Sequence, residues 1–193
     1  MSDTTLDLGP QARIVARLAH GVREDQLGLP TPCPDYTVRE LLGHLVGLAA
    51  GLRAAGRKET EGGNPGPGLP ELPADWRAAL PKALDALVDT WNEPAAWEGM
   101  TRAGGLDLPG AVAGLVTADE LVVHGWDLAR ATGQEYVPDE AAVRAARDLL
   151  TPQESAEGDG RDGLFGPIVP VPDGAPLLDR VIGLSGRDPA WKA

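Results

Sequence analysis

The chain has a single cysteine, Cys33, so it can form no internal disulfide and no thiolate-rich metal cluster. Any metal site must therefore be built from histidine and carboxylate. Basic residues are scarce as well: 17 Lys and Arg face 29 Asp and Glu, a formal net charge of -12. That balance excludes the clustered positive surface that nucleic acid requires, and an anionic membrane would repel it. Long hydrophobic runs are missing, since the longest, around residues 41–52, is interrupted by His44. The opening MSDTTLDLGP lacks the basic region and apolar core of a signal peptide. The expectation is a cytoplasmic protein that acts on a small molecule, without nucleic-acid or membrane partners.

What is present is a helical pattern broken by glycine and proline. At 193 residues, 42% of them hydrophobic, the chain suits one domain over 1–193. A first helix is expected from Pro10 to Leu27, with Ile14, Leu18, Gly21 and Val22 on one stripe and Arg13, Arg17, His20 and Glu24 opposite. Thr37 and Glu40 form a T-x-x-E capping box that opens a second helix. Its apolar face is Leu41, Leu45, Leu48 and Leu52, and it ends near Gly56. Trp76, Leu80, Leu84, Leu87 and Trp91 mark a third helix, which Pro81 would kink or begin. The fourth runs from Pro109 to a cap at Gly133, and a shorter helix spans Pro138 to Leu150. Strand-like alternation is scarce. Residues 56–73 read as a flexible Gly/Pro loop, either a lid or a plain connection. Residues 153–193 read as a C-terminal extension, with a short helix from Pro176 to Leu184, lying across the bundle.

The three histidines fall in different settings. His20 shares its helix side with Arg13, Arg17 and Glu24 and should be exposed. His44 is close in angle to Leu41, Leu48 and Leu52, so it should point into the core. His124 follows Glu120 by four residues, on one face of the fourth helix, with Asp127 about 60° away on the same side. Taken singly, His44 reads as a hydrogen-bonded core histidine and Glu120–His124 as an ordinary helix pair. Taken together, they enter one core from two helices, and a buried Glu120 needs a cation that no Lys or Arg on its face supplies. A divalent metal held by His44, Glu120 and His124 would satisfy all three. Two imidazoles and a carboxylate suit zinc with an open position, though nickel or iron would accept the same ligands. Asp127 is cast either as an outer partner of His124, serving orientation or acid–base work, or as half of a salt bridge to an arginine. Cys33, between two prolines, reads as a small buried residue that fixes the turn. Trp126 should pack on another helix or on a second copy of the chain in a homodimer.

PTPCPDYTVRELLGHLVG, then ADELVVHGWDLARATG, then FGPIVPVPDGAPLLDRVIGLSGRDPAW occur in that order and cover nearly the whole chain. In these motifs the sequence resembles the actinobacterial metal-binding branch of the DinB-like superfamily, to which the metal-binding domain of mycothiol-dependent maleylpyruvate isomerase belongs. The resemblance implies an all-α four-helix bundle, here with an extra short helix and the C-terminal extension packed across it. It implies a metal held by His44, Glu120 and His124, the same residues reached from the helical faces. It further implies mycothiol, a low-molecular-weight thiol, as cosubstrate, activated by the metal for conjugation to a small electrophile or for isomerisation. The alternatives are a metal-holding or ligand-binding protein without turnover, and metal hydroxide chemistry without a thiol.

Overall fold

A computed structural model of the chain describes residues 5–59, 71–151 and 166–192. Most of the Gly/Pro stretch 56–73, and with it the lid reading, lies outside the described residues, as does the start of the C-terminal extension.

Helix α1 spans Gly9–His20, α2 Val38–Gly56, α3 Trp76–Trp91 and α5 Gly110–Thr132. These four pack in a ring in which α1 touches α3 and α5, and α2 touches α3 and α5. Helices α1 and α2 thus stand on one diagonal and α3 and α5 on the other. The capping box forms as the sequence predicts: the backbone N–H of Thr37 donates to Glu40 at 2.9 Å and starts α2. Helix α3 starts five residues before Pro81 and continues past it, so Pro81 does not begin the helix, and Trp76, Leu80, Leu84, Leu87 and Trp91 are all buried along its inner face. Gly133 closes α5 in the left-handed region, φ 70°, with its N–H on the Ala129 carbonyl.

The first helix is shorter than its sequence suggests. It stops at His20, and a separate 3-10 turn covers Glu24–Gln26. Gly21 leaves room at that end for the Gln134 side chain, which a Cβ would strike and whose amide donates to the Leu18 carbonyl at 2.9 Å. The side chain of Gln134 thus caps the end of α1. The buried stripe is correspondingly Ala12, Val15, Leu18 and Ala19, with Ile14 only half-buried. His20 is exposed.

Between α3 and α5 lie a short helix α4, Pro94–Trp97, and a hairpin of β1, Met100–Ala103, and β2, Leu106–Pro109. The sequence pattern had shown little strand. Gly104 and Gly105, at φ 58° and 84°, form the tight turn that pairs Ala103 with Leu106. Thr101 ties the hairpin to the bundle by donating to the Ala55 carbonyl at 2.6 Å.

Helix α6, Glu140–Leu150, packs on α5, and α7, Leu177–Leu184, packs on α6. They form a second layer on the outer side of α5. Val122 joins Ala142, Val143 and Val181 in one apolar cluster, and Trp126 joins Ile182 and Trp191 in another. Trp126 is therefore covered by the chain's own C-terminal extension and offers no exposed face to a second copy. With both sides occupied, every residue from Leu121 to Ala129 is buried.

Candidate metal centre

Helices α2 and α5 lie side by side, and this places His44 opposite Glu120 and His124. Nε2 of His44 lies 3.7 Å, and Nε2 of His124 3.1 Å, from the same oxygen, Oε2 of Glu120. The two imidazoles meet edge to face, with centroids 4.8 Å apart. Among the described residues this is the group of three potential ligands whose donor atoms converge, all within 4.8 Å of one another. Donors bound to one zinc at about 2.0–2.2 Å would stand roughly 3–4 Å apart, so the spacing fits a single cation.

The hydrogen bonding behind these donor atoms decides what the front can hold. Nδ1 of His124 faces Oδ2 of Asp127 at 3.0 Å. An ionised carboxylate only accepts, so the ring proton is assigned to Nδ1 and Nε2 is left to face Glu120. Oε2 of Glu120 is buried and makes no well-formed hydrogen bond despite its short approach to that nitrogen. A lone pair and a carboxylate oxygen 3.1 Å apart repel unless a positive charge lies between them. A second proton on His124 or a metal cation would serve.

Where no metal is bound, a proton would fill this role. Burial opposes a charge on His124, but the carboxylates of Asp127 and Glu120 outweigh it and push the imidazole up to about 9. Burial likewise raises Glu120, and His124 and His44 more than reverse this, holding its carboxyl well below the usual range. The result is an imidazolium–carboxylate pair in the place where a cation would sit.

Exposure is graded across the group. The side chains of His44 and Glu120 are 24% and 26% exposed, His124 is 8% and Asp127 is 0%. His44 thus stands at the rim of the core and not in its middle, as the apolar face of α2 had led one to expect. Its outer neighbour is Tyr36, with ring centroids 5.2 Å apart. Tyr36 is positioned by the PTPCPDY turn, where the Thr31 hydroxyl reaches the Cys33 and Tyr36 carbonyls at 2.9 and 2.8 Å. Cys33 is buried in that turn. Burial raises the Tyr36 phenol, so it remains an O–H donor beside the open side of the group.

Asp127 makes both of the contacts the sequence left open, one to His124 and one to an arginine. It accepts from His124, and its Oδ2 also meets Nη2 of Arg187 at 3.3 Å. Tyr36 and Arg187 were not identified from the sequence. Tyr36 lies in a turn with no period to place it, and Arg187 arrives from beyond α7.

A family model described as the mycothiol maleylpyruvate isomerase N-terminal domain matches residues 8–129, a span that includes His44, Glu120, His124 and Asp127 but not Arg187. Two Mycobacterium tuberculosis proteins, each described only as uncharacterised, are 35% identical over 177 residues, which is 89% of this chain and 91% of theirs. The crystal structure of a mycothiol-dependent maleylpyruvate isomerase superposes with a TM-score of 0.58 at 16% identity over 74% of this chain. A histidine-to-alanine mutant of that isomerase gives 0.57. The alignment takes in 65% of the isomerase, so the chain spans just under two thirds of that enzyme's length.

Proposed function

The chain belongs to the mycothiol maleylpyruvate isomerase N-terminal domain family, and from that premise we propose that it is a metal-dependent enzyme of the DinB-like type that uses a low-molecular-weight thiol. His44, Glu120 and His124 would hold one divalent cation, with zinc the best match to two imidazoles and a carboxylate. The observation that carries this reading is Oε2 of Glu120, a buried carboxylate oxygen without a hydrogen bond, flanked by two imidazole nitrogens. Bound there, the cation would supply a Lewis-acid position at which a thiol loses its proton near neutral pH.

The protein's own groups account for the rest. The set Glu120, His44 and His124 carries one negative charge, so the centre stays more positive than a two-carboxylate set would leave it. Asp127 keeps the His124 ring in one orientation and one tautomer. The partial exposure of His44 and Glu120 leaves the outer side open to a thiol such as mycothiol and to a small electrophile. Attack of the sulfur on an electrophilic carbon forms a C–S bond and places negative charge on the acceptor, and the Tyr36 phenol, whose ring packs beside His44, would be the proton donor to that charge. Release of the adduct is conjugation, and elimination of the thiol after bond rotation is isomerisation.

The test is elemental analysis of protein purified without a histidine tag, together with His44→Ala and Glu120→Ala. Stoichiometric metal in the wild type, lost in both variants, is expected; metal that survives both substitutions overturns the site. A panel of electrophiles incubated with mycothiol and holo protein should then show metal-dependent loss of thiol. Metal binding with no loss across the panel would favour a metal-holding protein, for which Asp127 gives a specific reason: it is fully buried and engaged by His124 and Arg187, so it is not free as a general acid.

A further inference from the structure

We infer that Arg187 is a positioning residue of the metal centre, through which the C-terminal extension becomes part of the site; this rests on the metal-binding reading above. Arg187 does not face the ligand atoms. It acts on Asp127, and Asp127 acts on His124. Nη2 of Arg187 meets Oδ2 of Asp127 at 3.3 Å, the same oxygen that accepts from Nδ1 of His124 at 3.0 Å. The two remaining polar atoms of the pair, Oδ1 of Asp127 and Nε of Arg187, are buried without partners. Nε and Nη2 form one edge of the guanidinium, the edge that grips a carboxylate through two parallel bonds. The contact therefore has the parts of a two-bonded clamp and makes one of the two bonds. Among the described residues Arg187 is the one side-chain hydrogen-bond partner of Asp127 besides His124, so it is the polar contact that fixes the carboxylate on the side away from the ring.

The backbone is built to deliver this side chain. Gly186, at φ 86°, ends α7 in a left-handed turn, and the N–H of Arg187 donates back to the Ile182 carbonyl at 3.0 Å. A Cβ at Gly186 would stand 2.8 Å from the Cα of Gly166, so glycine is required by packing as well as by φ. Nη1 of Arg187 donates to the Ser185 carbonyl at 3.0 Å and sets the plane of the guanidinium. Ile182 itself docks against Trp126 on α5, one residue from Asp127. Docking of the extension and orientation of His124 are thus one event, and by linkage each should strengthen the other.

Zinc affinity, read by competition with a chromophoric chelator, tests this in wild type, Arg187→Met and Arg187→Lys. Loss of such an outer partner weakens metal binding by roughly 10–100-fold, which is the effect expected of Arg187→Met, with Arg187→Lys in between. A merely structural Arg187 would lower the melting temperature and leave the zinc constant of the folded protein unchanged, and that result overturns the inference. Should the variants fail to fold, wild-type hydrogen exchange decides: saturating zinc should slow the amides of residues 181–187, and unchanged exchange overturns it. Zinc binding in wild type that is indifferent to His44→Ala sinks the metal site itself; binding that needs His44 but ignores Arg187 sinks only the role of Arg187.

Discussion

Oε2 of Glu120 and Nε2 of His124, one helical turn apart on α5, stand 3.1 Å from each other with no hydrogen bond between them of good geometry. On the metal-binding reading proposed above, proton and metal cation compete for the same gap. Several measurable properties depend on which of them occupies it.

Without metal, stability should fall with rising pH above neutrality. The His124 proton is held more tightly in the folded state, at about 9 against an ordinary 6.5. Its contribution is complete below about 6.5 and is lost as pH rises through 9. Glu120 behaves oppositely: its carboxyl is depressed from an ordinary 4.5, so its contribution is complete above that value and lost toward acid. Thermal melts in chelator should therefore show the highest melting temperature between about 4.5 and 6.5 as far as this pair is concerned. A flat profile from pH 6.5 to 9, or one unchanged by His124→Gln, would refute the assignment.

Added zinc should reverse the alkaline slope. Binding requires loss of the Nε2 proton, so the zinc-induced rise in melting temperature should grow from pH 6 to pH 8. Free zinc at 100 times its dissociation constant corresponds to about 2.7 kcal/mol of stabilisation. Calorimetry with and without zinc measures this, and His44→Ala should remove most of the increment.

Gln11 should be among the most sensitive polar residues outside the site. Its buried amide donates to the Leu121 carbonyl and to the Tyr136 hydroxyl at 3.0 and 2.9 Å, and its carbonyl accepts from the Asp139 backbone. Gln11→Ala leaves buried partners unmatched, at about 1–3 kcal/mol each where water cannot enter. Tyr136→Phe, which loses the bond to the Val122 carbonyl and the one from Gln11, two bonds against three, should cost less, about 1–2 kcal/mol. Urea unfolding of the two variants should reproduce that order.

Gly114→Ala should destabilise although alanine is the better helix former. A Cβ at Gly114 would overlap the ring of Trp97, whose indole is held by a 2.7 Å bond to the Trp91 carbonyl. Overpacking of this kind costs about 1–3 kcal/mol and outweighs the gain of roughly 1 kcal/mol from propensity. A stabilised variant in chemical denaturation would show that Trp97 moves aside freely.

The long helices were legible because their signals are local: a four-residue apolar period in α3, the Thr37–Glu40 box on α2, and Gly133 after α5. The hairpin was not, since four-residue strands such as Met100–Ala103 are too short to display alternation, although Gly104–Gly105 was a turn signal in plain view. His44, Glu120 and His124 could be grouped from helical faces, because a carboxylate and two imidazoles on inward faces are costly unless they meet. Arg187 could not, since it reaches Asp127 from sixty residues downstream and no periodicity links them. The depth of Asp127 was hidden for the same reason, as it depends on a layer added by α6 and α7.

That added layer has a further consequence for α5. A helix packed on one side can roll to absorb a substitution, but α5 meets the bundle with Leu121 and Leu128 and the outer layer with Val122 and Trp126. Its rotational phase is fixed from two directions, like a key cut on both edges. A single-residue insertion ahead of Glu120, which would turn everything upstream by about 100° relative to the residues that follow, has no side on which to be accommodated. The angle at which Glu120 and His124 face His44 is therefore held by apolar contacts that lie outside the site.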